Sequence, residues 1–205
     1  MLIPLSQIIR DHGVPPGVIH LGAHQLEERP AYLAAGISCL LWVEADPDTY
    51  AAIQKTDLLP REKILNFAAA DVDDVEREFY VASNGQSSSL FPMQLHHRYH
   101  PEITVTCVRR VPCARMDTVL AGLSWPVKDV GLVNLDLQGA ELLALRGFGD
   151  LLRGIPLIYT EVSTAPLYRN APLIGDIDEY LARYGLRRVL TQMTRWDWGD
   201  ALYAR

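Results

Sequence analysis

"VIHLGAHQLEERPAY", residues 18–32, reads as a short apolar strand, a turn at Gly22 and a helix over residues 26–35 that Gly36 closes. Many nucleotide-binding α/β domains open this way, with the turn approaching the ligand. Such loops usually carry two or three glycines. Here Gly22 stands alone, and Leu26, Glu27 and Glu28 fill the first helical turn.

Outward from this stretch, strand and helix signals alternate. Upstream, "LSQIIRDHG" is a short amphipathic helix stopped by Gly13, and Pro15-Pro16 set an extended entry. Downstream, "SCLLWVEA" is a continuous apolar run, the pattern of a strand buried on both faces. Asp46-Pro47 supplies an N-cap and a first-turn proline for a helix to about Lys55. "KILNFAAA" reads as a third buried strand, "EREFYVAS" as an added or edge strand, and "SNGQSSSLFP" as a polar loop. "ITVTCVRRVP" alternates like an exposed strand, and "MDTVLAGL" starts a helix capped near Asp117. "VGLVNLDL", "GAELLALRGF" and "IPLIYTEV" continue as strand, helix, strand. "IGDIDEYLARYG" is an amphipathic helix, and "LRRVL" and "GDALYAR" close the chain as two strands joined by a short turn.

This alternation predicts an α/β fold with a single doubly wound sheet, mostly parallel and seven-stranded, with one antiparallel strand. One domain spans 1–205, with 1–16 as an N-terminal helix and lead-in. The 205 residues suit a single core. Hydrophobic residues are 49% and charged residues 21%, a folded composition. The net charge of -6 argues against nucleic acid or an anionic membrane as partner, although Arg109-Arg110 and Arg187-Arg188 offer local basic pairs. Cys39, Cys107 and Cys113 form no spaced motif and read as free thiols of a reducing compartment. With no signal-peptide pattern and no membrane-spanning apolar run, the expected location is cytoplasmic.

The cofactor chemistry follows from the same loop. Glu44 ends the second strand about twenty residues after Gly22, the spacing at which a carboxylate accepts a ribose diol. The plainer alternative is a tight turn at Gly22 and a helix-capping Glu44. Glu27 and Glu28 would repel a pyrophosphate but suit a positively charged ligand, which favours S-adenosylmethionine over a nicotinamide dinucleotide. The alternative is that they only complement the helix dipole. No Tyr-x-x-x-Lys or comparable hydride-transfer motif is present.

"HLGAH", "WVEADPDTY", "NFAAAD", "SNGQSSSL", "NLDLQGAELLALRGF" and "IYTEVSTAPLYRNAPL", in that order, resemble the FkbM-type S-adenosylmethionine-dependent methyltransferases. The resemblance covers residues 17–205, and "DLQGAELLALRG" is its most distinctive piece. It implies a class I methyltransferase sheet and O-methylation of a hydroxyl on a sugar, polyketide or related small molecule. It departs from the family at His20, where an acid is common, and at Leu26, where a second loop glycine is expected. On this resemblance Gly22, Ala23 and His24 line the methionine moiety, with Glu28 near its charge. Glu44 and Ala45 meet the ribose, Ala69 and Asp71 border the adenine, and Asp136 and Gln138 lie beside the sulfonium. A non-catalytic cofactor-binding protein and, further off, a nicotinamide-dependent oxidoreductase are the rival readings.

A hydroxyl acceptor needs a general base within reach, and Asp136, Glu161 and His97 are the candidates. Asp136 has a plainer alternative as a helix N-cap. Ser88, His100 and Tyr168 are candidates for the acceptor pocket, and Arg169, Trp196 and Trp198 could add to its wall. His96 and His100 share a helical face, but no further ligand has a convincing spacing, so no metal is expected. The oligomeric state stays open, with a homodimer among the options.

Overall fold

The computed structural model describes residues 1–123 and 125–205. Its elements follow the chain as α1 (Leu5–His12), β1 (Val18–Leu21), α2 (Arg29–Ala34), β2 (Leu40–Glu44), α3 (Pro47–Ile53), β3 (Glu62–Asn66), β4 (Ala68–Ala69), β5 (Val75–Ala82), α4 (His96–Tyr99), β6 (Val105–Ala114), α5 (Met116–Gly122), β7 (Leu132–Leu135), α6 (Glu141–Phe148), β8 (Leu157–Ser163), α7 (Ile174–Ala182), β9 (Arg187–Met193) and β10 (Trp198–Ala204).

Seven strands form one sheet in the order β3-β2-β1-β7-β8-β10-β9. All neighbours pair in parallel except β10, which runs antiparallel to both β8 and β9. The expected sheet is therefore present, with its one reversed strand. The central strands β1, β2 and β7 are buried at every position, as two-sided cover requires. One core layer joins Ile19, Leu41, Val133, Leu145 and Phe148; the other joins Val18, Trp42, Tyr32, Leu132 and Tyr159.

Four local expectations need correction. "KILNFAAA" is not one strand: β3 ends at Asn66, the chain breaks at Phe67, and Ala68–Ala69 enters a second sheet in the order β4-β6-β5. β5 belongs to that small sheet rather than to the edge of the large one, paired antiparallel with β6. Helix α2 starts at Arg29, not Leu26, because His24 (φ 40°) and Leu26 (φ 62°) take left-handed backbone that no helix contains. At α5, Arg115 is the capping residue; Asp117 sits in the first turn and binds the Arg115 guanidinium. Asp46 does cap α3, accepting from Asp48 N.

The strand order reverses between β1 and β7, where their following chains diverge to opposite faces and leave a crevice at the carboxyl edge. The small sheet and the loop from Asn84 to Leu90 cover it.

Candidate active site

A cavity of about 490 Å³ opens at this crevice, a volume typical of small-ligand sites. Its floor comes from the ends of β1, β2, β7 and β8, with Asp200 from β10. The small sheet and its loop add Ala68, Ala69, Phe79 and Ser88, and the α4 segment adds His96 and His100.

The β1 turn is built on Gly22, whose φ of 89° suits glycine. A side chain there would collide with the carbonyl oxygen of Asp136, so the turns after β1 and β7 touch backbone to backbone. Asp136 N donates to Leu21 O at 3.0 Å, and Gly22 N donates to Val43 O at 2.9 Å. The loop then stays close to β2: His24 N donates to Glu44 Oε2 and Asp46 N to Glu44 Oε1, both at 2.8 Å. Each Glu44 oxygen keeps a lone pair beyond these bonds, and the side chain lines the cavity. Burial pushes its carboxyl above the ordinary carboxylate range.

Leu26 takes the left-handed conformation a glycine would give, held by burial of its side chain beside Tyr32 and Trp42. The loop thus has the glycine-type backbone without the second glycine. His24 Nδ1 pairs with Glu27 Oε1 at 2.6 Å, and its ring rests against Gly85 of the covering loop.

The opposite wall holds a bridged acid pair. Gln138 (φ 53°) donates from Nε2 to Asp136 Oδ1 at 2.8 Å and to Glu161 Oε2 at 2.7 Å. Its Oε1 lies 2.8 Å from the Tyr168 hydroxyl, whose single hydrogen is shared between this oxygen and Ser87 O at 3.1 Å. Asp136 is open to the cavity while protein surrounds it on the other sides; Glu161 is buried. Burial, together with the Asp200 carboxylate, raises the Asp136 carboxyl. Burial, then Asp136 and Glu141, hold Glu161 well above the ordinary range. Glu141 accepts from Leu137 N and Gly139 N at the start of α6, and burial lifts it to about 7.

Beneath the cavity, His20 stacks on Trp42, and its Nδ1 faces the Tyr32 hydroxyl at 3.2 Å and Asn134 Nδ2 at 3.3 Å. Burial lowers its pKa to about 3, so it is neutral. The position where an acid is common therefore carries a neutral ring tied to an uncharged network.

Of the expected cofactor residues, Gly22, His24, Glu28, Glu44, Ala45, Ala69, Asp136 and Gln138 line the cavity. Ala23 is buried beside it, and Asp71 lies off it, bonded to Arg77 at 3.0 Å. Glu161, Ser88 and His100 line it too, but the Ser88 hydroxyl is engaged with Ala82 N and Gly85 O inside the covering loop. Tyr168 is buried behind Gln138 rather than forming a wall. His97 is exposed and outside the cavity, one position away from the buried His96 that does line it. His96 is the one buried described side chain with an unpartnered polar atom, Nδ1. Trp198 lines the cavity; Trp196 instead packs against His100 and Tyr99.

Sequence reading missed Asn134 and Asp200, and singled out His96 only for the helical face it shares with His100. Asn134, a polar residue inside an apolar strand, was the available signal. Asp200 had none, since only the return of β10 beside β8 brings it here. Among the described residues no cluster of three potential ligands could hold a metal ion, and no helix is long and apolar enough to cross a membrane.

Seven carboxylates line the cavity: Glu27, Glu28, Glu44, Asp46, Asp136, Glu161 and Asp200. No lysine or arginine does. A ligand with positive charge fits this donor set, and a pyrophosphate does not.

A seven-stranded sheet with one reversed strand and a cavity at its switch point defines the class I methyltransferase fold. The model of the methyltransferase FkbM domain matches residues 11–188. The chain belongs to the FkbM family of methyltransferases. Among solved structures it is similar to a protein of Pyrococcus horikoshii described as a candidate RNA methyltransferase, with TM-score 0.51 and 10% identity over 98% of this chain and 79% of that one. It is also similar to a TehB-like S-adenosylmethionine-dependent methyltransferase of Corynebacterium glutamicum, with TM-score 0.48 and 11% identity over 98% and 85%. A third is the Burkholderia thailandensis 1,6-didemethyltoxoflavin-N1-methyltransferase with bound S-adenosylhomocysteine, with TM-score 0.48 and 12% identity over 100% and 77%. No curated protein sequence matches significantly.

Proposed function

We propose that the cavity binds S-adenosylmethionine and that the protein methylates a hydroxyl of a small molecule without a metal. The observation that carries this reading is the acid-lined cavity at the switch point of the sheet, with Glu44 at the end of β2. Glu44 would hold the ribose hydroxyls, Ala68 and Ala69 would border the base, and Glu28 would face the amino group. When bound, the cofactor supplies an electrophilic methyl group.

The protein's own part is to hold the acceptor in line and to receive its proton. Positioning supplies much of the acceleration in a direct displacement. The charge of the reactants disperses as the displacement proceeds, so no oxyanion hole is needed. Asp136 and Glu161, which both line the cavity, would take the hydroxyl proton. His100 and the buried His96 border the space where the acceptor would lie. The backbone of Leu26 supports cofactor binding at this loop, because the glycine-type path is kept despite the sequence.

Calorimetry with S-adenosylmethionine and with NAD tests the cofactor; binding of NAD alone would overturn the reading. A methyl-release assay over sugars, polyketide-type alcohols and amines tests the acceptor, and transfer only to amines would overturn the hydroxyl assignment. With an accepted hydroxyl compound, Asp136→Asn or Glu161→Gln should lower the rate at saturating cofactor by about two to four powers of ten.

A further inference from the structure

Asp136 and Glu161 sit at the ends of two neighbouring parallel strands, and one amide nitrogen touches both, at 2.8 and 2.7 Å. A carboxamide nitrogen has only donors, so Gln138 fixes one oxygen of each acid close to the other. Behind the bridge, the Tyr168 hydroxyl lies 2.8 Å from the amide oxygen and 3.1 Å from Ser87 O and keeps the Gln138 side chain in place. Two carboxylates held this way in a partly dry site do not both ionise readily. Other groups around the pair add to the effect. Asp200 from β10, Glu141 from α6 and Glu28 before α2 are acids. The chain's amino group, paired with Glu28 at 3.5 Å, is a cation acting on Asp136, and Tyr168 is the neutral hydroxyl behind the bridge.

We propose that Asp136 and Glu161 act as one unit that holds a single proton in the free protein and releases it when a cationic ligand enters the cavity. The inference rests on the reading that this cavity takes S-adenosylmethionine. The O–H bond of the shared carboxylic acid breaks, the proton passes to solvent, and two carboxylates are left facing the positive charge. One of them is then free to receive the proton of an acceptor hydroxyl. The base is therefore formed only when the methyl donor is in place, and it is lost again when the neutral product S-adenosylhomocysteine remains.

The comparison of these two ligands is the test, because both carry the same ammonium and carboxylate and differ by the sulfonium charge. The full chain is titrated calorimetrically at pH 7 with each ligand, in phosphate and in Tris, whose ionisation heats differ. The dependence of the measured heat on the buffer counts the protons released. S-adenosylmethionine should release about one proton more than S-adenosylhomocysteine. In Asp136→Asn and in Glu161→Gln, each checked for folding by its thermal melt, the difference should fall to near zero. Equal proton release by the two ligands in the unaltered protein overturns the proposal. A difference that persists in both variants also overturns it and moves the proton to Glu141 or Asp200. Failure of both ligands to bind would instead refute the cofactor reading itself.

Discussion

His20 lies against Trp42 with centroids 4.9 Å apart, and its nitrogen has only the neutral Tyr32 and Asn134 groups for company. A buried imidazole without a carboxylate partner stays neutral, which is why its pKa falls to about 3 from 6.5. The unfolded chain takes up a proton on His20 below pH 6.5, and the folded protein does not until about pH 3. Its contribution to stability is therefore complete above pH 6.5 and is lost as the pH falls, by up to about 1.4 kcal/mol per unit. His20→Gln should flatten the slope of stability between pH 6.5 and 4, read by urea denaturation at several pH values. A slope unchanged by the substitution would contradict this account. Glu44 belongs to the same scale. Glu44→Ala should weaken S-adenosylmethionine binding more than tenfold, since hydrogen bonds to a charged group contribute about 1.5–3 kcal/mol. Calorimetry checks it, with a circular dichroism spectrum to confirm that the fold survives loss of the His24 and Asp46 amide contacts.

At the scale of elements, the strongest tie is between the start of α2 and the edge strand β3. The Glu62 side chain is wholly inaccessible and accepts from Arg29 Nε at 2.8 Å, Arg29 Nη2 at 2.9 Å, Trp42 Nε1 at 2.9 Å and Leu59 N at 3.1 Å. Burial alone would raise its carboxyl, but Arg29 and the other donors hold it below the ordinary range. Arg29→Met leaves that charge buried without its cation and should destabilise the protein by about 3–5 kcal/mol. Adding Glu62→Gln to it should recover part of the loss, measured by chemical denaturation; a double variant as unstable as the single one would contradict the ion-pair account. This contact also explains the late start of α2. The chain must first pass through His24 and Leu26 in left-handed backbone to bring Arg29 over Glu62, and apolar periodicity alone pointed to Leu26. The break of "KILNFAAA" into β3 and β4 has a similar cause. Ala68 and Ala69 find hydrogen-bond partners in β6, parallel to Cys113 and Ala114, and leave the large sheet to roof its crevice.

At the scale of the whole molecule, the cavity is an acidic chamber shared by both sheets, and among the described residues nothing in it is arranged as a metal site. Methyl transfer should therefore survive exhaustive treatment with EDTA; loss of activity restored by magnesium or zinc would show that the carboxylates hold a metal. Much of this architecture was legible in the sequence. The mainly apolar runs of β1, β2, β7 and β8 call for cover on both faces, and the helices between them point to a parallel, doubly wound arrangement. The positions of Gly22 and Glu44 on the cavity were legible because they follow from place in a strand–turn unit, a local property. So was the acidity of the loop before α2, with Glu27 and Glu28 adjacent in sequence and both on the cavity. The covering sheet was not, since "EREFYVAS" and "ITVTCVRRVP" alternate in the same way whether they extend the large sheet or pair with each other. Distant partners decide which. The same limit separates His96 from His97, neighbours in one short helix of which one faces the cavity and the other solvent. It also applies to Tyr168, whose hydroxyl turns inward to Gln138, and to Asp200, brought beside Asp136 only by the antiparallel return of β10. The sequence by itself determined the sheet, its reversed strand and the acids of the loop after β1, because local periodicity and turn chemistry dictate them. Only the tertiary structure decided which carboxylates meet, for an acid pair depends on strands that are neighbours in space and 25 residues apart along the chain, from Asp136 to Glu161.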